Sequence, residues 1–184
     1  HKTPIMKRNS FNSQELIDIA GGFVQKNSAQ IRKQLISPKH LENPVVIEAF
    51  DDGFKPMKAL AEKVEQIIGK IISEYGEKSS ILLIGRYNYD MYKLYNTGSF
   101  KEMPNNKVRC EKYPNADITF MTAHSSKGLG YDNVILINMF EGKFGFPCQI
   151  EDDPIIKLVM HDDKSMPFAE ERRLFYVAMT RTKN

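Results

Sequence analysis

The sequence predicts an α/β fold: a doubly wound, mostly parallel sheet of about four or five strands with helices on both faces. Three observations lead there. Short apolar runs of strand length, Val45–Phe50, Ser80–Ile84, Ile118–Thr122 and Val134–Asn138, are interspersed with stretches of helical periodicity. The run SILLI at Ser80–Ile84 shows no alternation with polar residues, the pattern of a strand buried on both faces of a parallel sheet. A chain of 184 residues with 41% hydrophobic content can bury one good core, so residues 1–184 read as a single domain.

Taken in order, His1–Arg8 is basic and unpatterned, and its ragged start reads as a segment cut from something longer. Asn12 is expected to cap a first helix, with Glu15 reaching back as in a capping box. Leu16, Ile17, Ala20, Phe23 and Val24 recur at helical spacing, weakened somewhat by Gly21 and Gly22. Residues 28–44 are polar, with Pro38 and Pro44 as breakers, and read as a connection. Val45–Phe50 (VVIEAF) is expected to be a short buried strand, turning at Asp51–Gly53. Pro56 suits the first turn of a helix whose face is Leu60, Val64, Ile67, Ile68, Ile71 and Ile72, and Gly76 suits its end. After Ser80–Ile84 a short helix is expected from Tyr89 to Tyr95, then a loop region with a short strand at Val108–Cys110. Beyond Asn138 come Gly142, Gly145, Pro147 and the acidic patch Glu151–Asp153. A short helix at Ile155–Met160 precedes a final amphipathic one within Glu170–Lys183. On it Leu174, Val177, Ala178 and Arg181 share a stripe, with Glu170 and Glu171 at the dipole-favoured amino end.

Several function classes drop out. A net charge of +3, from 26 basic and 23 acidic side chains, is too mild to argue for nucleic acid by itself. Cys110 and Cys148 make neither a disulfide framework nor a zinc site and suit a reducing cytoplasm. No apolar run approaches the ~18 residues of a membrane span, so a soluble, cytoplasmic protein with no membrane partner is expected. Glu151–Asp153 and His161–Asp163 read as solvated acidic loops, and Gly142–Gly145 lacks the surroundings of an RNA-clamping GxxG. No GxxxxGK[ST] occurs: Gly69-Lys70 and Gly142-Lys143 are followed by Ile and Phe. Without that loop nothing in the sequence cradles β- and γ-phosphates or holds Mg²⁺ through a hydroxyl.

The chemistry concentrates in two stretches. Asp117–Asn138 (DITFMTAHSSKGLGYDNVILIN) places hydroxyls, an imidazole and an ammonium after a strand, where open α/β sheets bind ligands. A polar loop whose Ser and Thr cap the next turn explains the same residues. Glu170–Lys183 (EERRLFYVAMTRTK) ends in a Thr-Arg pair that is otherwise an ordinary helix-end cation. Together the two stretches resemble motifs V and VI of the UvrD/Rep-like superfamily 1 DNA helicases. The first meets all five specified positions of T-x-H-x-x-K-G-L, and the second follows E-R-R-L-x-Y-V-A-x-T-R.

The resemblance implies roles. Thr122 and His124 would lie on the single-stranded DNA side, while Lys127 and Gly128 hold the turn toward the nucleotide. Arg181 would reach the γ-phosphate across the cleft between two RecA-like lobes, a task suited to a planar guanidinium that never loses its charge. Arg86 and Asn88 in GRYNYD resemble the family's Y-R-x-N segment along the DNA path, although a strand-end Arg and a helix-capping Asn explain them nearly as well. Asn12–Leu16 fits the latter part of motif IV, but its phosphate-contacting arginine would fall at Phe11; either Arg8 serves through a local insertion or the contact is lost. Gly130 stands where many relatives have a Glu associated with the ribose, so Tyr131-Asp132 compensates or ribose recognition is weaker.

On this resemblance the chain is the C-terminal RecA-like lobe (domain 2A) of an ATP-dependent DNA helicase. ATP and Mg²⁺ would be bound mainly by a first lobe that this chain lacks. Single-stranded DNA and that N-terminal RecA-like lobe of the same protein would be its partners, and the lobe alone would be inactive. The alternative is a catalytically inert RecA-like module that binds nucleic acid or a partner.

Overall fold

The computed structural model describes residues 12–26, 35–51, 53–140, 142–149 and 168–183. Its sheet is built around β1 (Ile81–Gly85), all five residues of which are buried. The other strands are β2 (Phe100–Glu102), β3 (Lys107–Cys110), β4 (Ile118–Thr122) and β5 (Asn133–Leu136), in the spatial order β2-β3-β4-β1-β5. β1 pairs in parallel with β4 on one side and β5 on the other. β3 runs antiparallel to both β2 and β4.

The sheet is therefore mixed rather than mostly parallel. The antiparallel half comes from a hairpin that the sequence reading treated largely as loop. Asn105 and Asn106 both adopt positive φ, 61° and 59°, and the Lys107 N–H closes the turn on the Pro104 carbonyl at 3.3 Å. Two consecutive left-handed residues match the right-handed twist of the flanking strands, and Asn tolerates that conformation well.

Alternation along β1 divides the core in two. Ile81 and Leu83 join Leu60, Val64 and Ile68 of helix α2 (Pro56–Tyr75). Leu82 and Ile84 join Leu174 and Ala178 of the last described helix, Ala169–Met179. Helices thus cover both faces, as expected. Each fully buried Leu or Ile contributes about 1.5–3 kcal/mol, so β1 alone anchors both layers. Between β1 and β2 lie a 3₁₀ turn, Asn88–Met91, and the short helix α3 (Tyr92–Tyr95). The last described helix, labelled α4, carries α1 (Gln14–Val24) against it, with Phe23 edge-on to Phe175 at 5.1 Å.

Three local expectations are corrected. Val45–Phe50 forms no strand: Val46 and Ile47 are 71% and 91% exposed. The segment joins neither edge strand of the sheet, and Glu48 pairs with Lys70 at 2.6 Å and Lys63 at 3.4 Å on α2. The cap of α1 is Ser13, whose Oγ accepts the Leu16 N–H. Asn12 instead donates to the Thr182 carbonyl, and Glu15 reaches out to the Leu41 N–H at 2.9 Å and to His40 at 2.7 Å. Finally, α4 stops at Met179, short of Arg181. Thr180 Oγ1 donates to the Tyr176 and Val177 carbonyls and closes the helix end. Arg8, Glu151–Asp153, Ile155–Met160 and His161–Asp163 lie outside the described residues. Among those described, no helix is long and apolar enough to cross a membrane.

Candidate functional site

The parallel strands β1 and β4 end side by side, Gly85 in register with Thr122. The loops that leave them therefore start as neighbours. After Thr122 the chain folds into a tight turn held by its own hydroxyls. Thr122 N–H donates to Ser125 Oγ at 3.0 Å, Ser125 N–H donates to Thr122 Oγ1 at 3.2 Å, and buried Ser126 Oγ donates to the Ala123 carbonyl at 2.9 Å. Gly128 takes φ +88°, a conformation L side chains avoid. The hydroxyls thus build the turn, as its plain reading anticipated, and leave His124 and Lys127 exposed at its surface.

Arg86 leaves β1 beside this turn. Its guanidinium grips Glu171 of α4, with Nη2 to Oε1 at 2.7 Å and Nε to the two oxygens at 3.0 and 3.2 Å. Nη1 approaches His124 Nδ1 at 3.4 Å. Burial alone would lower the Arg86 pKa, but the Glu171 bond and charge outweigh it and the net shift is upward. Glu171 also accepts the Cys148 N–H at 3.0 Å. The Tyr87 hydroxyl donates to Cys148 Sγ at 2.8 Å, and burial followed by this bond pushes its pKa up to about 12. Asn88 is exposed and opens the 3₁₀ turn, while the Tyr87 N–H that precedes it is held by Asp90. Asp90, fully buried, also accepts from the Asn138 amide at 2.7 Å and so ties the loop after β1 to the end of β5.

Arg181 sits two residues beyond α4. Its Nε donates to the Val177 carbonyl at 2.8 Å, Nη1 to the Leu129 carbonyl at 3.3 Å and Nη2 to Thr180 Oγ1 at 3.3 Å. Among the described residues no carboxylate pairs with it, and burial lowers its pKa. A guanidinium drawn out of water with only neutral partners gains strongly from an arriving anion. Its backbone is fixed as well, since Arg181 O accepts from Tyr131 N–H and Lys183 N–H bonds Tyr131 O. Next to that ladder, an ideal Cβ on Gly130 would stand 3.2 Å from Lys183 Cγ and 3.3 Å from its Cε.

The structure thus brings Thr122, His124 and Arg86 together at one end of the sheet, and joins Arg181 to the far end of the turn that contains Lys127 and Gly128. Asn88 lies on the same loop as Arg86. Glu171 and Asp90, the side chains that hold these loops, were not singled out for this by sequence. Glu171 carried its helix-dipole signal and its place in the E-R-R-L match, and Asp90 only its place within the short helix expected from Tyr89 to Tyr95. Among the described residues no cluster of three His, Cys, Asp or Glu is placed to hold a metal ion.

The fold is thus an α/β module whose strand-end loops carry a half-buried arginine, without a carboxylate partner among the described residues, and an exposed imidazole. Residues 99–184 match the family model of the UvrD-like helicase C-terminal domain, and named DNA helicases are similar to the chain. It is 28% identical over 176 residues to DNA helicase IV of Escherichia coli (strain K12), which covers 95% of this chain and 22% of that protein. It is 34% identical over 85 residues, 46% of this chain and 11% of the relative, to ATP-dependent DNA helicase Rep of Buchnera aphidicola subsp. Schizaphis graminum (strain Sg). ATP-dependent DNA helicase UvrD2 of Mycobacterium tuberculosis (strain ATCC 25618 / H37Rv) is 35% identical over 66 residues, 36% of this chain and 8% of the relative. The chain thus spans about a fifth or less of the length of these relatives. No solved structure matches it.

Proposed function

We propose that this chain is the second, RecA-like motor lobe of an ATP-dependent superfamily 1 DNA helicase that works in the cytoplasm. ATP would lie between it and a first lobe, and closure of the cleft would move its DNA-gripping loops along a single strand. The observation that carries this reading is Arg181: a half-buried guanidinium bonded, among the described residues, to Val177, Leu129 and Thr180 oxygens and to no carboxylate, suited to an incoming phosphoryl group. Bound ATP supplies a transferable γ-phosphoryl group, whose charge Arg181 would stabilise, with Lys127 and Gly128 shaping the adjoining turn. Mg²⁺ would be held mainly by the first lobe. Thr122, His124, Arg86 and Asn88 would line the side offered to single-stranded DNA.

One observation favours a rival. The Lys183 methylenes lie over Gly130, so the place of a ribose-associated side chain is covered, as in an inert module that only binds nucleic acid or a partner. ATP hydrolysis separates the two. The chain alone should show no turnover, whereas the full-length protein should hydrolyse ATP and be stimulated by single-stranded DNA. Robust hydrolysis by the chain alone would overturn the half-site reading, and an inactive full-length protein would favour the inert module.

A further inference from the structure

Three contacts join the two ends of α4 to the two ends of one turn. At the amino end, Glu171 holds Arg86, and Arg86 reaches His124. Beyond the carboxyl end, Arg181 reaches the Leu129 carbonyl. His124 and Leu129 open and close the same turn, which is stiffened internally by Lys127 N–H to His124 O at 3.4 Å and Leu129 N–H to Ser126 O at 3.2 Å. The path Arg86–Glu171–α4–Arg181–Leu129–turn–His124 therefore closes on itself. The helical side is rigid and spans roughly 12 Å from Glu171 to the helix end at Met179, at ~1.5 Å per residue.

We infer that Glu171 is a positioning residue that closes this ring and couples events at Arg86 and His124 to the placement of Arg181. The inference rests on the reading of this chain as a motor lobe. Glu171 is suited to the task because its side chain is only 12% exposed and that of Arg86 16%, so the pair is more than a solvated surface contact. Its two oxygens take the Arg86 fork and the Cys148 N–H together. It thereby joins α4 to the loop after β1 and to the loop that follows β5. A nucleic-acid phosphate at Arg86 competes for the same planar fork that Glu171 occupies. Taking the fork releases the amino end of α4, and the rigid helix and turn carry that change to the Arg181–Leu129 corner. Two ligands that bias one linked element in this way share a coupling free energy, and the coupling is reciprocal.

The test uses Glu171→Gln in the full-length protein, with Glu171→Asp as the conservative companion. Glutamine keeps the size but lacks the charge and presents an amide donor toward the Arg86 and Cys148 donors. ATP turnover without DNA should change far less than its stimulation by DNA, and the melting temperature should fall by a few degrees because the Arg86 fork and the Cys148 N–H lose a charged acceptor. Stimulation of turnover by a single-stranded oligonucleotide should fall about tenfold, within the usual range of allosteric coupling. The wild-type change in oligonucleotide affinity caused by a non-hydrolysable ATP analogue should shrink by the same factor. Glu171→Asp should recover part of both effects, and it carries the test if the glutamine variant does not fold. Unchanged stimulation in both variants overturns the inference, and so does a fall of basal turnover as large as the fall in stimulation, which marks Glu171 as a packing residue. If wild-type protein shows no DNA-stimulated turnover, the motor-lobe reading fails first and the inference fails with it.

Discussion

Replacing Asp90 by Asn perturbs the joint between the loop after β1 and the end of β5 while leaving its shape almost untouched. In the native protein Asp90 Oδ2 accepts the Tyr87 N–H at 2.9 Å and Oδ1 accepts the Asn138 amide at 2.7 Å, with the side chain fully buried. Asparagine keeps one oxygen. If that oxygen stays on Tyr87, the new NH₂ faces the NH₂ of Asn138, two donors with no acceptor. A hydrogen bond to a charged acceptor is worth about 1.5–3 kcal/mol, and a buried unsatisfied donor costs about 1–3 kcal/mol. These overlap, so Asp90→Asn should destabilise by about 3 kcal/mol. For a chain of this size that lowers the melting temperature by about 6–12 °C. The companion change Asn138→Asp restores complementarity, because the new amide then donates to the new carboxylate. Asn138 sits at φ +58°, a conformation that Asp also visits, so the double variant should recover at least half of the loss. Urea unfolding of both single variants and the double variant gives the coupling directly. A loss below about 0.5 kcal/mol for Asp90→Asn, or a double variant equal to the sum of its parts, would refute the reasoning.

Two further predictions concern the frame around the site. The Leu41 N–H, followed by His40, holds the Glu15 carboxylate at a pKa of about 2 against an ordinary 4.5. Its folded pKa is depressed, so the contact stabilises the docked 37–41 segment above about pH 4.5 and is lost as the pH falls toward 2. Hydrogen exchange at Leu41 should accelerate over that window in the wild type, and the pH step should vanish in Glu15→Gln; an identical step in both would sink the assignment. Gly85→Ala would place a Cβ 2.8 Å from Asp90 Cβ and 3.2 Å from Phe120 Cε2. That overpacking should cost about 1–3 kcal/mol in urea unfolding, and a neutral substitution would show that the crossing of β1 and the Asp90 loop is looser than described.

What was legible in the sequence was whatever a periodic pattern or an ordered motif carries. The unbroken apolar run SILLI located the central strand, and the stripe from Leu60 to Ile68 located the helix over it. The mixed sheet was not foreseen because β2 is only three residues long and the Asn105-Asn106 turn went unread. Val45–Phe50 has strand composition, but composition does not by itself bring a segment to a sheet edge, and Glu48 found partners on α2 instead. Within the site, motif order pointed to Thr122, His124 and Arg181. It did not show that Arg86 would be clasped by Glu171, a residue 85 positions away. Nor did it show that Arg181 would be partly buried against carbonyl oxygens rather than fully exposed. Such pairings depend on which loops the sheet sets side by side, and no local pattern encodes that.

Arg181 offers the most direct test of the central claim. Arg181→Ala and Arg181→Lys in the full-length protein should be compared for ATP turnover, single-stranded DNA affinity and melting temperature. Losing the bonds to Val177, Leu129 and Thr180 should lower the melting temperature only by a few degrees, on the order of one net hydrogen bond. Turnover should fall about 10³-fold or more, with little recovery in the lysine variant, whose point charge lacks the fork, while DNA affinity stays near wild type. Near-normal turnover in Arg181→Ala, or a loss of activity that merely follows a large loss of folding stability, would contradict the account.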